Sequence, residues 1–478
     1  MAEQEMSVSP YWELTFDADG DTDARRRDRL FAEVGPRQVR DLIVFAHGWN
    51  NDRSTATGLY SRFFSEVPAF APPTARIGYV GVVWPSMRFT DEPIPDFPRS
   101  TTATAIATAT GALPAAAEGP GLDKDTRQAL LETFPGRATV VEQIARLLEQ
   151  QPEGDRALEE FGGLVRLLVE VSPEAPQTGF AADLLRRDGE TDGEPEGDPE
   201  MFARSTAEVC EEFALALTGD EPDEPPGAVA EFALPKLPKL PKLPKLPNPW
   251  EGGKELLRQA TYYAMKRRAG TVGERGLGPL IGQLAEAAPG VRVHLVGHSF
   301  GARLVSFALR GLPADVSTVK SLTLLQGAFS HYAFAERLPH EPLTGGALHG
   351  RQKRVDGPVV CCYSKFDGAL GTFYPLASRM AHDSQGVLAA DRSFAGVDVA
   401  EALGPEWGAM GHDGVQAVPG TVELTLADAL APARLPANGC VNVDAAAVVK
   451  RGGPPSGAHS DICHPELARL VLAAGRIH

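Results

Sequence analysis

This 478-residue chain is short of cysteine, of aromatics and of long apolar runs, and carries no excess of positive charge. Its five cysteines form no C-x-x-C pair. Cys361 and Cys362 adjoin in an apolar run and read as buried thiols, a usage that fits a reducing compartment, so the expected location is the cytoplasm. The N-terminus "MAEQEMSVSPYWELTF" has no basic start followed by an apolar stretch, which argues against a signal peptide. The low-complexity "TTATAIATATGALPAAA" is too weakly hydrophobic to span a bilayer, so no transmembrane segment is expected. A net charge of −17 argues against a nucleic-acid partner. What remains is the composition of a globular protein: 43% hydrophobic, 7% aromatic and 23% charged.

The acidity is local. Residues 183–224 hold fifteen Asp and Glu against three Arg. They belong to a stretch, 91–233, in which helical periodicity replaces the strand-like runs before it. Val140, Val141, Ile144, Leu147 and Leu148 make one apolar stripe, and Leu158, Phe161, Val165 and Leu168 another. This reads as a helical, acidic insertion whose stripes would suit a lid. "LPKLPKLPKLPKLP" follows at 234–247. Its three-residue period matches polyproline II, giving a rod on the order of 40 Å long. Segment 234–250 is therefore expected to be a stiff linker, with 234–247 also suited to docking a protein partner.

Outside the insertion, strands alternate with helices. "YWELTF" is an early strand, followed by a charged, exposed piece, so 1–37 is set apart. Leu42–Ala46 and "RIGYVGVV" are buried strands flanking a helix for which Ser54 is the expected N-cap. "VRVHLV", "VKSLTLL", "GPVVCCYS" and the weaker "VNVDAAAVV" continue the series after Glu251. The fold class is α/β: a mostly parallel sheet wrapped by helices, built from 38–90 plus 251–478, with a large all-helical insertion.

The chemistry is expected at "VRVHLVGHSFGARLV". Gly297-His298-Ser299-Phe300-Gly301 lies between a buried strand and a helix, where a sharp turn holds a serine hydroxyl clear of the sheet edge. Such a hydroxyl needs a histidine base oriented by a carboxylate. Asp367, three residues past Ser364 where an apolar strand has ended, is better placed than Asp356 before that strand or Asp383 after a helix. For the oxyanion, the backbone amides of Phe300 and Trp49 are the candidates, with Gly48 in "VFAHGWNND" allowing close approach. His47 reads as a brace for that loop, and His294 and His298 as residues satisfied by packing or hydrogen bonding. In "SGAHSDICHPELARLVL", Pro465 suits the first turn of a helix and places His464 at its cap. His459 then falls in the preceding loop, with Asp461 as a brace. A metal centre on His459, Asp461, Cys463 and His464 matches no compact zinc spacing, so neither metal nor organic cofactor is expected.

The order Ser299, Asp367, late histidine, with "HGWN" ahead of it, resembles the α/β-hydrolase superfamily over 38–90 and 251–478. "GHSFGARLV" and "SKFDGALG…YPLASR" are most similar to its bacterial esterase- and lipase-like branch. The "HSD" loop of that branch selects His459 as the base. The resemblance implies a serine hydrolase cleaving a carboxylic ester of a small molecule or lipid. Thioester, amide or peptide cleavage by the same triad, or a non-catalytic scaffold binding partners through the insertion and KLP repeat, are the alternatives. The insertion departs from the pattern by following the second core strand.

Overall fold

Strands that are apolar at every position must be covered on both faces, and the computed structural model has that arrangement. It describes residues 6–49, 51–87, 89, 121–186 (other than 173, 176, 178, 179 and 181), 199–218, 248–374, and 407–477 (other than 432, 433 and 453–455). The KLP repeat, the Ala/Thr segment at 100–119 and Asp383 lie outside the described residues.

The strands are β1 (Tyr11–Thr15), β2 (Asp41–Ala46), β3 (Ile77–Val83), β4 (Leu184–Arg186), β5 (Arg292–His298), β6 (Val319–Leu325), β7 (Thr344–Gly346), β8 (Pro358–Tyr363), β9 (Val422–Thr425) and β10 (Gly439–Asp444). Eight form one sheet in the order β1-β3-β2-β5-β6-β8-β10-β9, and β4 pairs antiparallel with β7. Every neighbouring pair in the large sheet is parallel. All its strands therefore end at one edge, and the loops leaving that edge converge. The N-terminal strand β1 shares this sheet as an edge strand beside β3.

The helices are α1 (Ala24–Val34), α2 (Arg53–Ser65), α3 (Lys124–Thr133), α4 (Ala138–Gln150), α5 (Asp155–Val169), α6 (Thr206–Thr218), α7 (Pro249–Thr271), α8 (Gly278–Ala287), α9 (Phe300–Gly311) and α10 (Pro465–Gly475). The period of two along each strand divides them between two cores. Leu42, Val44 and Ala46 join α7, α8 and α9, whereas Ile43 and Phe45 join α2 and α10. The mostly parallel sheet with helices on both faces places the chain in the α/β class.

Four local expectations change. The insertion is not all helical, because β4 lies within it and pairs with β7 of the core. The charged N-terminal piece is α1, capped by Asp23 and burying Leu30 and Val34. Helix α2 is capped by Asp52, whose carboxylate accepts from the Thr55 amide, rather than by Ser54, which lies inside the helix. The apolar stripes of the insertion are used within the molecule. Val141, Ile144 and Leu148 of α4 and Phe161, Val165 and Leu168 of α5 are buried in the core that holds α7, with the Phe161 ring 5.6 Å from that of Trp250. A buried ionic cluster adds to this attachment. Asp183, beside β4, meets Lys266 of α7 at 3.0 Å and Arg303 of α9 at 2.8 Å. Burial alone would raise the Asp183 carboxyl, but the two cations hold it below its ordinary range.

Candidate active site

Ser299 follows β5 and caps α9 with φ 55° and ψ −122°, a conformation rare for a residue bearing a side chain. Such strain costs about 1–3 kcal/mol and persists only where the surroundings impose it. Here the flanking glycines permit the close packing that holds it, without left-handed torsions of their own. A Cβ on Gly297 would lie 2.4 Å from the Gly301 carbonyl oxygen, and one on Gly301 would lie 2.0 Å from that of Ala46. Helix α9 can thus press directly onto the end of β2. Gly48 serves the same approach from the other side, since a Cβ there would sit 2.6 Å from the Ser299 Cβ.

The expected partners converge on that serine. His459 Nε2 lies 2.9 Å from Ser299 Oγ, and His459 Nδ1 lies 2.8 Å from Asp367 Oδ2. A carboxylate can only accept, so Nδ1 carries the proton and Nε2 is left to accept from the serine hydroxyl. Asp367 is buried, and its other oxygen accepts the Leu370 amide at 3.0 Å. The loops of acid and base are joined directly: the Ala458 amide donates to Phe366 O at 2.8 Å, and the Ala369 amide to Ser456 O at 3.2 Å.

The other candidates sort themselves by contact. Asp356 pairs with Lys320 at 2.6 Å, where β8 begins, at the opposite edge of the sheet. Asp461 accepts the amides of Lys450 and Arg451 and meets His464 Nε2 at 2.9 Å. His464 does occupy the cap position of α10, but its ring makes no capping bond and is held by Asp461 instead.

The loop after β2 is braced by His47, as its position suggested. This fully buried ring stacks on Trp84 with centroids 5.5 Å apart, and its Nδ1 lies 2.8 Å from the Gly48 carbonyl oxygen. Asn51 Nδ2 and Ser86 Oγ also donate to that oxygen, each at 3.4 Å. In a trans peptide the carbonyl and the following N–H point oppositely, so this anchoring also fixes the direction of the Trp49 amide. Phe300 is the first residue of α9, where helix amides lack intrahelical acceptors. The side chains of both residues rest on Tyr262 of α7, with ring centroids 5.4 Å away for Trp49 and 4.6 Å for Phe300.

One contact went unforeseen. Tyr262 joins the two loops across 213 and 38 residues of sequence, and no local pattern marks it. His298, read as satisfied by packing or hydrogen bonding, turns its Nε2 to the carbonyl oxygen of His459 at 2.9 Å, a partner the sequence does not name. Burial pushes His47 down to about 4, and burial with His459 nearby pushes His298 down to about 3, so both rings are neutral at pH 7.

No protein-family model matches the chain, and neither the curated proteins nor the solved structures give a match.

Proposed function

We propose that the chain is a serine hydrolase on an α/β-hydrolase fold, cleaving a carboxylic ester through an acyl-enzyme. The observation that carries this reading is the continuous chain of contacts from Asp367 through His459 to Ser299, at 2.8 and 2.9 Å, on a strained strand-to-helix turn. In this mechanism Ser299 Oγ attacks the carbonyl carbon while His459 Nε2 takes the hydroxyl proton. The same proton then passes to the departing alkoxide, which leaves as the alcohol. Water, deprotonated by His459, attacks the acyl-enzyme; the acyl–oxygen bond breaks, His459 returns the proton to Ser299 Oγ, and the acid leaves. Asp367 holds the tautomer and stabilises the imidazolium.

The Trp49 and Phe300 amides are the proposed oxyanion donors, each worth roughly 2.7–4 kcal/mol of barrier. The anchored Gly48 carbonyl and the cap position of Ser299 support that assignment. The half-buried rings of Trp49 and Tyr262 beside the proposed oxyanion donors favour an apolar acyl compound, including a lipid ester. The triad requires no metal or organic cofactor. No described helix is long and apolar enough to cross a membrane, and none of the five cysteines is in a disulfide. The thiols support a cytoplasmic setting.

The test is hydrolysis of p-nitrophenyl esters from acetate to laurate, beside matched thioesters and anilides, by wild type and Ser299→Ala. Ester cleavage that rises with chain length and disappears in Ser299→Ala is expected. Cleavage confined to anilides or thioesters would move the substrate to the other acyl classes, and cleavage persisting in Ser299→Ala would remove the reading.

A further inference from the structure

We infer that His298 is a positioning residue that sets the distance between base and nucleophile; the inference rests on the serine-hydrolase reading above. His459 lies between β10 and α10, in a segment whose described residues form no helix or strand. Such a loop cannot hold a ring to a few tenths of an ångström unless other groups fix its backbone. Two sets of contacts do so. Toward the acid, the Ala458 amide donates to Phe366 O and the Ala369 amide to Ser456 O, which ties the His459 loop to the segment carrying Asp367. Toward the nucleophile, the backbone of His459 itself is held by the residue that precedes Ser299 in the chain. His298 Nε2 is 2.9 Å from the His459 carbonyl oxygen, with the two ring centroids 5.0 Å apart.

A carbonyl oxygen only accepts, so His298 must carry its proton on Nε2. The ring is 2% exposed, and its Nδ1 is buried without a hydrogen-bond partner. That leaves Nε2 as the one atom of this side chain engaged in the site, and it touches backbone rather than substrate. His298 therefore acts through His459. Its burial keeps it neutral, so it neither competes for the serine proton nor repels the imidazolium formed during the reaction.

The experiment compares His298→Met, apolar and of similar reach, with His298→Gln, whose amide can restore an N–H donor. The readout is the rate of Ser299 labelling by a fluorophosphonate, per folded molecule, with kcat and KM for an ester and the thermal midpoint of each variant. His298→Met should label ten- to a hundredfold more slowly, the size expected from an ångström-scale misplacement, with the loss in kcat and not in KM. His298→Gln should recover to within about fivefold of wild type. Equal rates in His298→Met and wild type would overturn the inference while leaving Ser299 labelling, and so the hydrolase reading, intact. Equal losses in both variants would do the same. Wild type that fails to label at Ser299 removes the hydrolase reading first. If His298→Met does not fold, nitrogen-15 spectra of histidine-labelled wild type decide: the Nε2–H tautomer at pH 7 supports the inference, and the Nδ1–H tautomer or the imidazolium overturns it.

Discussion

Strand β5 has a serine, a histidine and an aspartate in hydrogen-bond reach at both of its ends. Beyond its C-terminal end lie Ser299, His459 and Asp367. Near its start, His294 Nε2 lies 3.0 Å from Asp41 Oδ1, and His294 Nδ1 lies 3.0 Å from Ser321 Oγ. The distances hardly differ, yet the settings do. Asp41, His294 and Ser321 sit on the adjacent strands β2, β5 and β6 and are buried within the sheet. Arg292 also holds Asp41 at 2.8 Å, and α10 lies so close that a Cβ on Gly475 would be 2.6 Å from His294 Nδ1. Burial lowers the His294 pKa even with Asp41 beside it. The ring is also reversed, presenting Nδ1 to the serine where His459 presents Nε2. Three residue types at the right spacing make a brace within the sheet; a strained turn and a helix N-terminus beside the hydroxyl set Ser299 apart.

The largest effects should separate the two ends. Asp367→Asn is expected to slow ester hydrolysis on the order of 10⁴-fold, with thermal stability little changed, because the wrong tautomer is then favoured. His294→Leu should do the reverse. It keeps the rate per folded molecule within about twofold and costs about 1–3 kcal/mol in denaturant unfolding, since Ser321 and Asp41 lose a buried partner. A rate loss in His294→Leu beyond the loss of folded protein would erase the distinction.

The buried neutral histidines make a pH prediction of intermediate size. His47 is held at about 4 and His298 at about 3, while the unfolded chain takes up protons near 6.5. Below pH 6.5 the unfolded state therefore binds more protons, and stability falls as pH drops from about 6.5 toward 4. The His47 share is roughly 3 kcal/mol. Urea midpoints between pH 7 and pH 4 should show this slope, made shallower by His47→Gln; an unchanged slope in that variant would count against a neutral His47. The smallest effect belongs to His464→Ala. Loss of its contact with Asp461 should cost about 0.5–1.5 kcal/mol and leave ester turnover within about twofold.

Much of this arrangement can be read from the chain because the signals are local. Leu42–Ala46 is apolar throughout, and the runs at β3, β5, β6 and β8 are rich in buried apolar residues, as doubly covered strands must be. Ser299 is marked by the glycines around it, and Asp367 and His459 by the elements they follow. What escapes notice is carried by contacts between distant residues or by short, mixed elements. Helix α1 is a charged run with only Leu30 and Val34 buried, so its apolar face is narrow and its charges dominate the reading. Strand β9 alternates exposed and half-buried positions over four residues at the sheet edge. The support of His298 for His459 and of Tyr262 for Trp49 exists only once the chain has closed.

The most direct test of the central claim is fluorophosphonate labelling of the native protein, with the modified residue identified by peptide mass spectrometry. An adduct on Ser299 alone is expected, absent in Ser299→Ala and slowed by several orders of magnitude in His459→Ala. An adduct on Ser321, or none on Ser299 in folded wild type, would contradict it.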